Sequence, residues 1–364
     1  MKALLTPRTL LVLASLLLSV TLGLVLGHRG GVDSAGESGA ARELTIGLSL
    51  DTLKEARWQA DRDMFERRAG ELGARVLALS ANGDDTVQIG DVEKLLTNRV
   101  DVLVIVPHDG QAMAKAVRLA HEAGVPVIAY DRLIRDSDLD LYVSFDNLRV
   151  GELQARYLLD HLPQRGRGRI VRIFGAKTDN NAALFKEGQD RVLAPYVERG
   201  DIQILHEDWA EDWKPENAKR IVNAAITAQG SRFDAVLASN DGTAGGAVQA
   251  LIEEGLAGRV LVTGQDAEVV ALQRIAGGTQ AMTIYKPLRT LAQGAAELAV
   301  RMARRQVVVA KQTVNNGAID VPAVLFDVVT VTRDNIVDTV VRDGLASYDE
   351  VYRGVPEARR PPRP

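Results

Sequence analysis

The chain repeats one pattern: a short β-rich run ends, and side chains able to hydrogen-bond or stack come soon after. LTIGLSL precedes Arg57 and Trp58, VPVIAY precedes Asp131 and Arg132, and RIVRIFG precedes Asn180 and Asn181. DAVLAS runs into Asn240 and Asp241, RVLVTG into Gln265 and Asp266, and AMTIY into Lys286. In open α/β sheets, ligands bind in the crevice beyond the carboxyl ends of the strands. Planar amide, carboxylate and guanidinium groups can each bond two neighbouring hydroxyls, and a hydroxyl both donates and accepts. An indole stacks on the C–H face of a ring, and Trp58 and Trp213 both fall near such loops. The set suits an uncharged polyhydroxylated ring. A buried polar group left unpaired costs about 1–3 kcal/mol, so such a site rejects a ligand lacking the matching hydroxyl. Taken singly, each tryptophan could equally be a packing residue, and each Asp–Arg or Asn–Asp pair an ordinary strand end. Repetition over several strand ends is what argues for a site.

Nothing in this set is arranged to attack an atom or move a proton. Asp131 and Asp266 could be imagined as a glycosidase pair, but no neighbouring feature keeps one of them protonated. There is no G-x-S-x-G elbow and no Walker motif, and Gly242, Gly245 and Gly246 lack the G-x-G-x-x-G spacing. Asp136, Asp138 and Asp140 alternate like the start of a calcium loop, yet the sixth position is Leu141 rather than Gly. The five histidines are scattered and cysteine is absent, so neither a metal nor a cofactor is expected. With 44 Lys and Arg against 48 Asp and Glu the net charge is −4, and no basic excess invites nucleic acid.

The elements needed to hold these residues emerge from periodicity. From residue 44 the chain alternates short apolar runs with helical patterns, at 57–72, 87–97 and 110–123, which implies βαβ units and parallel sheets. The rhythm restarts after Val150, with helices expected at 151–162, 181–197, 215–227 and 243–254. Two doubly wound α/β lobes are therefore expected, with the join near 145–150. A further strand, a helix at 288–304 and the run VLFDVVTVT suggest that the chain crosses between lobes more than once. The expected division is 44–146 with 286–321 for the first lobe and 147–285 with 322–346 for the second. The basic, proline-rich end of the chain points to disorder over 347–364. Residues 1–43 open with Lys2 and Arg8, then an apolar stretch from Thr9 to Gly27, then a small and polar linker. That pattern is a secretory signal or an uncleaved anchor, and either one exports the two lobes.

The segments EARWQADRD, DVLVIVPHDGQ, AYDR, YVSFDN, GELQA, DNNAALF, SNDGTAGGA, GQDA, GTQAMTIYKP and NNGAIDVP resemble those of the periplasmic sugar-binding proteins of ABC importers. The likeness is to the ribose/galactose-type branch, and within it to D-xylose-binding proteins. It runs from about Leu44 to Leu345; the first loop DTLKEARW, the stretch RGRGRIVRIFG and the terminal PPRP depart from it. The resemblance implies a type I periplasmic binding protein fold with a multi-crossover hinge, near Asp146, Tyr285 and Val321. It implies a ligand site of Arg57, Trp58, Asp131, Arg132, Asn181, Trp213, Asn240, Asp266 and Lys286, with the two tryptophans stacking on a pyranose. It further implies a monomer in the periplasm that hands D-xylose, or a related monosaccharide, to a membrane permease. The alternative is an exported sugar-sensing domain that signals to a histidine kinase or chemoreceptor.

Overall fold

A computed structural model describes residues 43–364 of the chain. The expected leader or anchor and its linker lie outside the described residues, apart from Glu43. Among the described residues no helix is long and apolar enough to cross a membrane.

The first half builds β1 (Leu44–Leu50), α1 (Ala56–Glu71), β2 (Ala74–Ser80), α2 (Asp85–Thr97), β3 (Val102–Val106), α3 (Ala114–Glu122), β4 (Val127–Tyr130) and β5 (Leu141–Phe145). The second builds α4 (Asn147–His161), β6 (Gly168–Phe174), α5 (Asn180–Glu198), β7 (Ile202–Trp209), α6 (Pro215–Gln229) and β8 (Ala235–Ala238). It continues with α7 (Asp241–Glu253), β9 (Leu261–Val262), α8 (Val269–Gly277) and β10 (Met282–Tyr285). Then come α9 (Leu288–Ala303), β11 (Gln312–Asn315), β12 (Asp320–Phe326) and β13 (Val329–Thr332). Helices stop where the sequence places glycines: Gly73, Gly124 and Gly255 all have positive φ. Pro215 occupies the first turn of α6, where its missing N–H leaves no bond unmade.

A seven-stranded sheet runs β11-β12-β5-β4-β3-β1-β2, parallel except for β11, and a four-stranded parallel sheet runs β7-β6-β8-β9. Strands β10 and β13 form a separate antiparallel pair. Runs such as VLVIV and AVLA are buried along their whole length because helices cover both faces of each sheet. On one face of the large sheet, Trp58 and Phe65 of α1 and Leu291 to Val300 of α9 pack on β1, β3, β4 and β5. On the other face, α2 and α3 pack with Leu103, Ile105 and Val127. In the smaller sheet, α4 and α5 approach unusually closely. A methyl group on Gly151 would lie 2.0 Å from the Phe185 carbonyl oxygen, and one on Gly188 would lie 2.1 Å from that of Leu148.

In both sheets the strand order reverses at the first strand laid down, which lies one in from an edge. From β1 the chain adds β2 on one side and β3 on the other, and from β6 it adds β7 and then β8. These are the switch points at which α/β sheets hold ligands.

Two details correct the sequence reading. The chain leaves the large sheet at Asp146 and returns toward it just after Tyr285. The third passage does not fall at Val321. That residue is buried inside β12, which pairs with β5 as far as Phe326, so the crossing lies at Asp327 and Val328 and residues 322–326 belong to the large sheet. The run VLFDVVTVT hides this because it contains the end of β12 and all of β13. The segment 347–364 also contains structure. Ser347 caps the short helix Tyr348–Val351 in a capping box, and Val351, Tyr352 and Val355 are buried. Its charge and proline content concealed those apolar residues.

Candidate functional site

Each candidate residue is delivered by the end of a strand or the start of the helix after it. Arg57 and Trp58 lie in the first turn of α1, after β1; Asp131 and Arg132 come directly after β4. Asn181 lies in the first turn of α5, Asn240 caps α7, Asp266 comes after β9, and Lys286 after β10. Trp213 sits in the turn between β7 and α6. All nine line one cavity, together with Glu55, Asp179, Phe185, Gln265 and Glu268.

A buried ion-pair network crosses this cavity. Arg57 donates from Nη2 to Asp131 Oδ2 at 2.7 Å and from Nη1 to Asp266 Oδ1 at 3.1 Å. Lys286 Nζ lies 3.0 Å from Asp266 Oδ1 and 4.0 Å from Asp131 Oδ2. Arg132 lies 2.7 Å from Asp51 and, through Nε, 3.1 Å from Asp179. Burial alone would raise the Asp131 carboxyl, but Arg57 and then Lys286 outweigh it and hold it down at about 2. Burial opposes the charge on Arg57, yet Asp131, Asp266 and Asp61 push its guanidinium well above its ordinary value. Asp61 stands behind Arg57 one helical turn along α1, and burial lifts it to about 6. Arg57 also lies over the Trp58 ring, 4.1 Å from its centroid, with Arg132 at 5.4 Å, both within cation–π range.

The second side is held by hydrogen bonds. Asn181 Nδ2 donates to Asp131 Oδ1 at 3.0 Å, and Asn147 Nδ2 donates to Asn181 Oδ1 at 2.8 Å. Trp213 Nε1 donates to Asp179 Oδ2 at 3.2 Å, and its ring stands edge-to-face with Phe185 at 6.3 Å. Asn240 closes a capping box with Thr243. Asp241, which the sequence reading paired with Asn240, supports the site from beneath instead. Its carboxylate accepts from Glu268 N, Thr283 Oγ1 and Gln280 Nε2 at 2.8–3.0 Å. Burial, and then Glu268 and Asp266, raise it to about 8.

Backbone strain concentrates here. Asp131, Asp212, Trp213, Asp266 and Ala267 all have φ between 52° and 103°, a region that costs a non-glycine residue on the order of 1–3 kcal/mol. The Asp131 carbonyl is pinned by Tyr142 and Ser144 hydroxyls at 2.9 and 2.6 Å. The Ala267 N–H is held by Thr283 Oγ1 at 3.2 Å. The strained turns aim three candidate side chains into the cavity, and these surrounding bonds offset the strain.

Sequence reasoning missed Glu55, Asp179, Phe185 and Glu268 as lining residues. Asp179 and Phe185 stand in DNNAALF on either side of Asn181, so the segment was found but not its reach. Glu55 and Glu268 are the residues just before α1 and α8, positions that sequence alone also explains as helix starts. Among the described residues no group of three or more His, Cys, Asp or Glu is placed to hold a metal ion.

A model of the periplasmic binding protein domain matches residues 46–306. The D-xylose-binding periplasmic protein of Escherichia coli is 47% identical over 311 residues, covering 85% of this chain and 93% of that protein. That of Haemophilus influenzae is 45% identical, covering 86% and 94%. A carbohydrate transporter solute-binding protein from Chloroflexus aurantiacus, solved with D-glucose, superposes with a TM-score of 0.79 at 37% identity, covering 84% of this chain and 98% of that one. Two switch-point crevices facing one cavity, this domain match and this depth of similarity lead to one conclusion: the chain belongs to the periplasmic binding protein family.

Proposed function

We propose that this protein is the extracytoplasmic substrate-binding component of an ABC sugar importer, and that it captures D-xylose or a closely related monosaccharide in the cavity between its two lobes. The observation that carries the reading is the convergence of two indoles, three amides, five carboxylates and three cations on one buried space. Arg57, Asp131, Arg132, Asn181, Asn240, Asp266 and Lys286 bond the sugar hydroxyls, and Trp58 and Trp213 take its C–H faces. Neither lobe satisfies the sugar alone. Binding therefore favours the closed arrangement, in which Asp266 meets Arg57 and Asn181 meets Asp131 across the cleft. Closure moves no bond of the ligand, so the role is capture and delivery rather than catalysis. The partner is a membrane permease that receives the closed monomer in the periplasm.

Calorimetry and thermal shift with a panel of pentoses and hexoses test this. D-xylose should raise the melting temperature in step with its affinity. An absence of both heat and shift with every sugar refutes the reading. Release of an aryl group from aryl xylosides would refute the non-catalytic part alone.

A further inference from the structure

The cations of the cavity are all matched. Arg57 pairs with Asp131 and Asp266, Lys286 with Asp266, and Arg132 with Asp179. Two lining carboxylates remain outside this pairing, Glu55 and Glu268. They come from opposite sides of the cleft, each as the residue preceding a helix, α1 and α8, and neither side chain bonds that helix end. The cavity wall thus holds five carboxylates against three cations, and the surplus sits on these two residues.

The surroundings do not cancel that surplus. Glu268 faces Asp266 from its own loop, Asp241 from α7, Arg274 from α8, and Glu55 and Arg57 from the opposite lobe. Arg274 is engaged elsewhere, donating to the Asp241 carbonyl at 2.8 Å and to Gln280 at 2.9 Å. Arg57 is shared among Asp61, Asp131 and Asp266. Burial, and then Asp266, push the Glu268 carboxyl up to about 7; the pocket resists one more negative charge at that point.

We infer that Glu55 and Glu268 are specificity-determining residues that make the cavity charge-selective, favouring pentose-sized polyols that carry a positive charge and rejecting sugar acids. This rests on the sugar-binding reading. A neutral pentose carries no net charge and gains nothing from the surplus itself. A protonated imino or amino sugar of the same shape gains attraction to the unmatched pair. A carboxylated sugar brings a like charge into a partly desolvated space, where charges interact more strongly than in water. Glu268 is half-buried and carries more of the effect than the exposed Glu55, whose share is screened by salt.

The test compares two ligands of one shape with the purified protein by calorimetry at pH 8 and low ionic strength. They are 1,5-anhydroxylitol, which is neutral, and 1,5-dideoxy-1,5-iminoxylitol, which gains a proton. D-glucuronate and its neutral amide form a second pair, and D-xylose is titrated separately. The iminosugar is expected to bind at least tenfold tighter than the anhydro sugar, with proton uptake revealed by repeating the titration in buffers of different ionisation heat. Replacing both residues, Glu55→Gln with Glu268→Gln, should bring the ratio close to one and remove the uptake. A wild-type ratio below two, a ratio unchanged in the double variant, glucuronate binding tighter than its amide, or failure of the iminosugar to bind would each overturn the inference. Failure of D-xylose alone would count against the sugar-importer reading and leave the charge ratio to be judged on the analogues.

Discussion

Gly175 comes directly after β6 and forms the floor beneath Trp213. A methyl group placed there would lie 2.0, 2.1 and 2.4 Å from three atoms of the indole ring, and ordinary contact begins near 3.4 Å, so Gly175→Ala requires the ring to retreat by about 1.4 Å. Trp213 has little freedom to comply in place. Its φ of 57° and that of Asp212, 52°, are already in the left-handed region, and its Nε1 is tied to Asp179 at 3.2 Å. Retreat breaks that bond, worth about 1 kcal/mol, and shifts the indole face off the sugar. If that face covers about 60 Å² of C–H surface, the loss at ~25 cal/mol per Å² adds about 1.5 kcal/mol. The sum, about 2.5 kcal/mol, corresponds to D-xylose binding weakened roughly 30- to 100-fold. Trp213 is only half-buried, so stability in the absence of sugar should fall much less. Calorimetry measures the affinity, and urea unfolding without ligand measures the stability. An unchanged dissociation constant in Gly175→Ala would refute the placement of Trp213 against the sugar.

Asp266→Ala removes a carboxylate that lies within 3.1 Å of both Arg57 and Lys286; losing charge-assisted bonds of about 1.5–3 kcal/mol should weaken D-xylose by ~10- to 150-fold, and calorimetry showing less than a threefold change would exclude it from the site. Asp241 is raised from its ordinary 3.8 to about 8. A raised carboxyl contributes stability that is complete below its ordinary value and is lost as pH rises through the folded one. Urea unfolding between pH 4 and pH 8 should therefore show a shallower decline for Asp241→Asn than for the wild type, and parallel declines would contradict the assignment. Gly188→Ala sets a methyl group 2.1 Å from the Leu148 carbonyl and 2.9 Å from Glu152 N. Both obstacles are backbone, so α4 and α5 must part at a cost of about 3 kcal/mol, read as a lower urea midpoint; a wild-type midpoint would show that the helices are not so closely apposed.

Much of this was legible because the two periods of the chain are clean. Runs such as VLVIV and AVLA announce buried parallel strands, and Pro215, Gly73 and Gly124 mark helix ends by chemistry that tertiary structure rarely overrides. The nine candidate residues could be found because each stands close after such an element. What stayed hidden depends on contacts distant in sequence. The pairing of β12 with β5 decides the third crossing, and no local pattern in VLFDVVTVT records it. Asp241 and Asp266 both look like polar strand ends; only the bonds from Thr283 and Gln280, about 40 residues later in the chain, separate a support from a lining residue. Tyr352 and Val355 sit within a segment whose charge and prolines dominate its composition, so their burial could not be read there.

The bridge between Asp266, Arg57 and Lys286 has a consequence for discrimination among epimers. These groups already satisfy one another, so an arriving hydroxyl competes with an incumbent partner rather than meeting a free group. The net gain per contact is then a small difference between two good arrangements, and affinity grows slowly with the number of contacts. An epimer whose inverted hydroxyl misses these groups leaves the incumbent pair in place, so no charge is stranded and the penalty of the mismatch is softened. A pocket whose polar groups are paired among themselves is thereby a more lenient judge of stereochemistry than one whose groups wait unsatisfied.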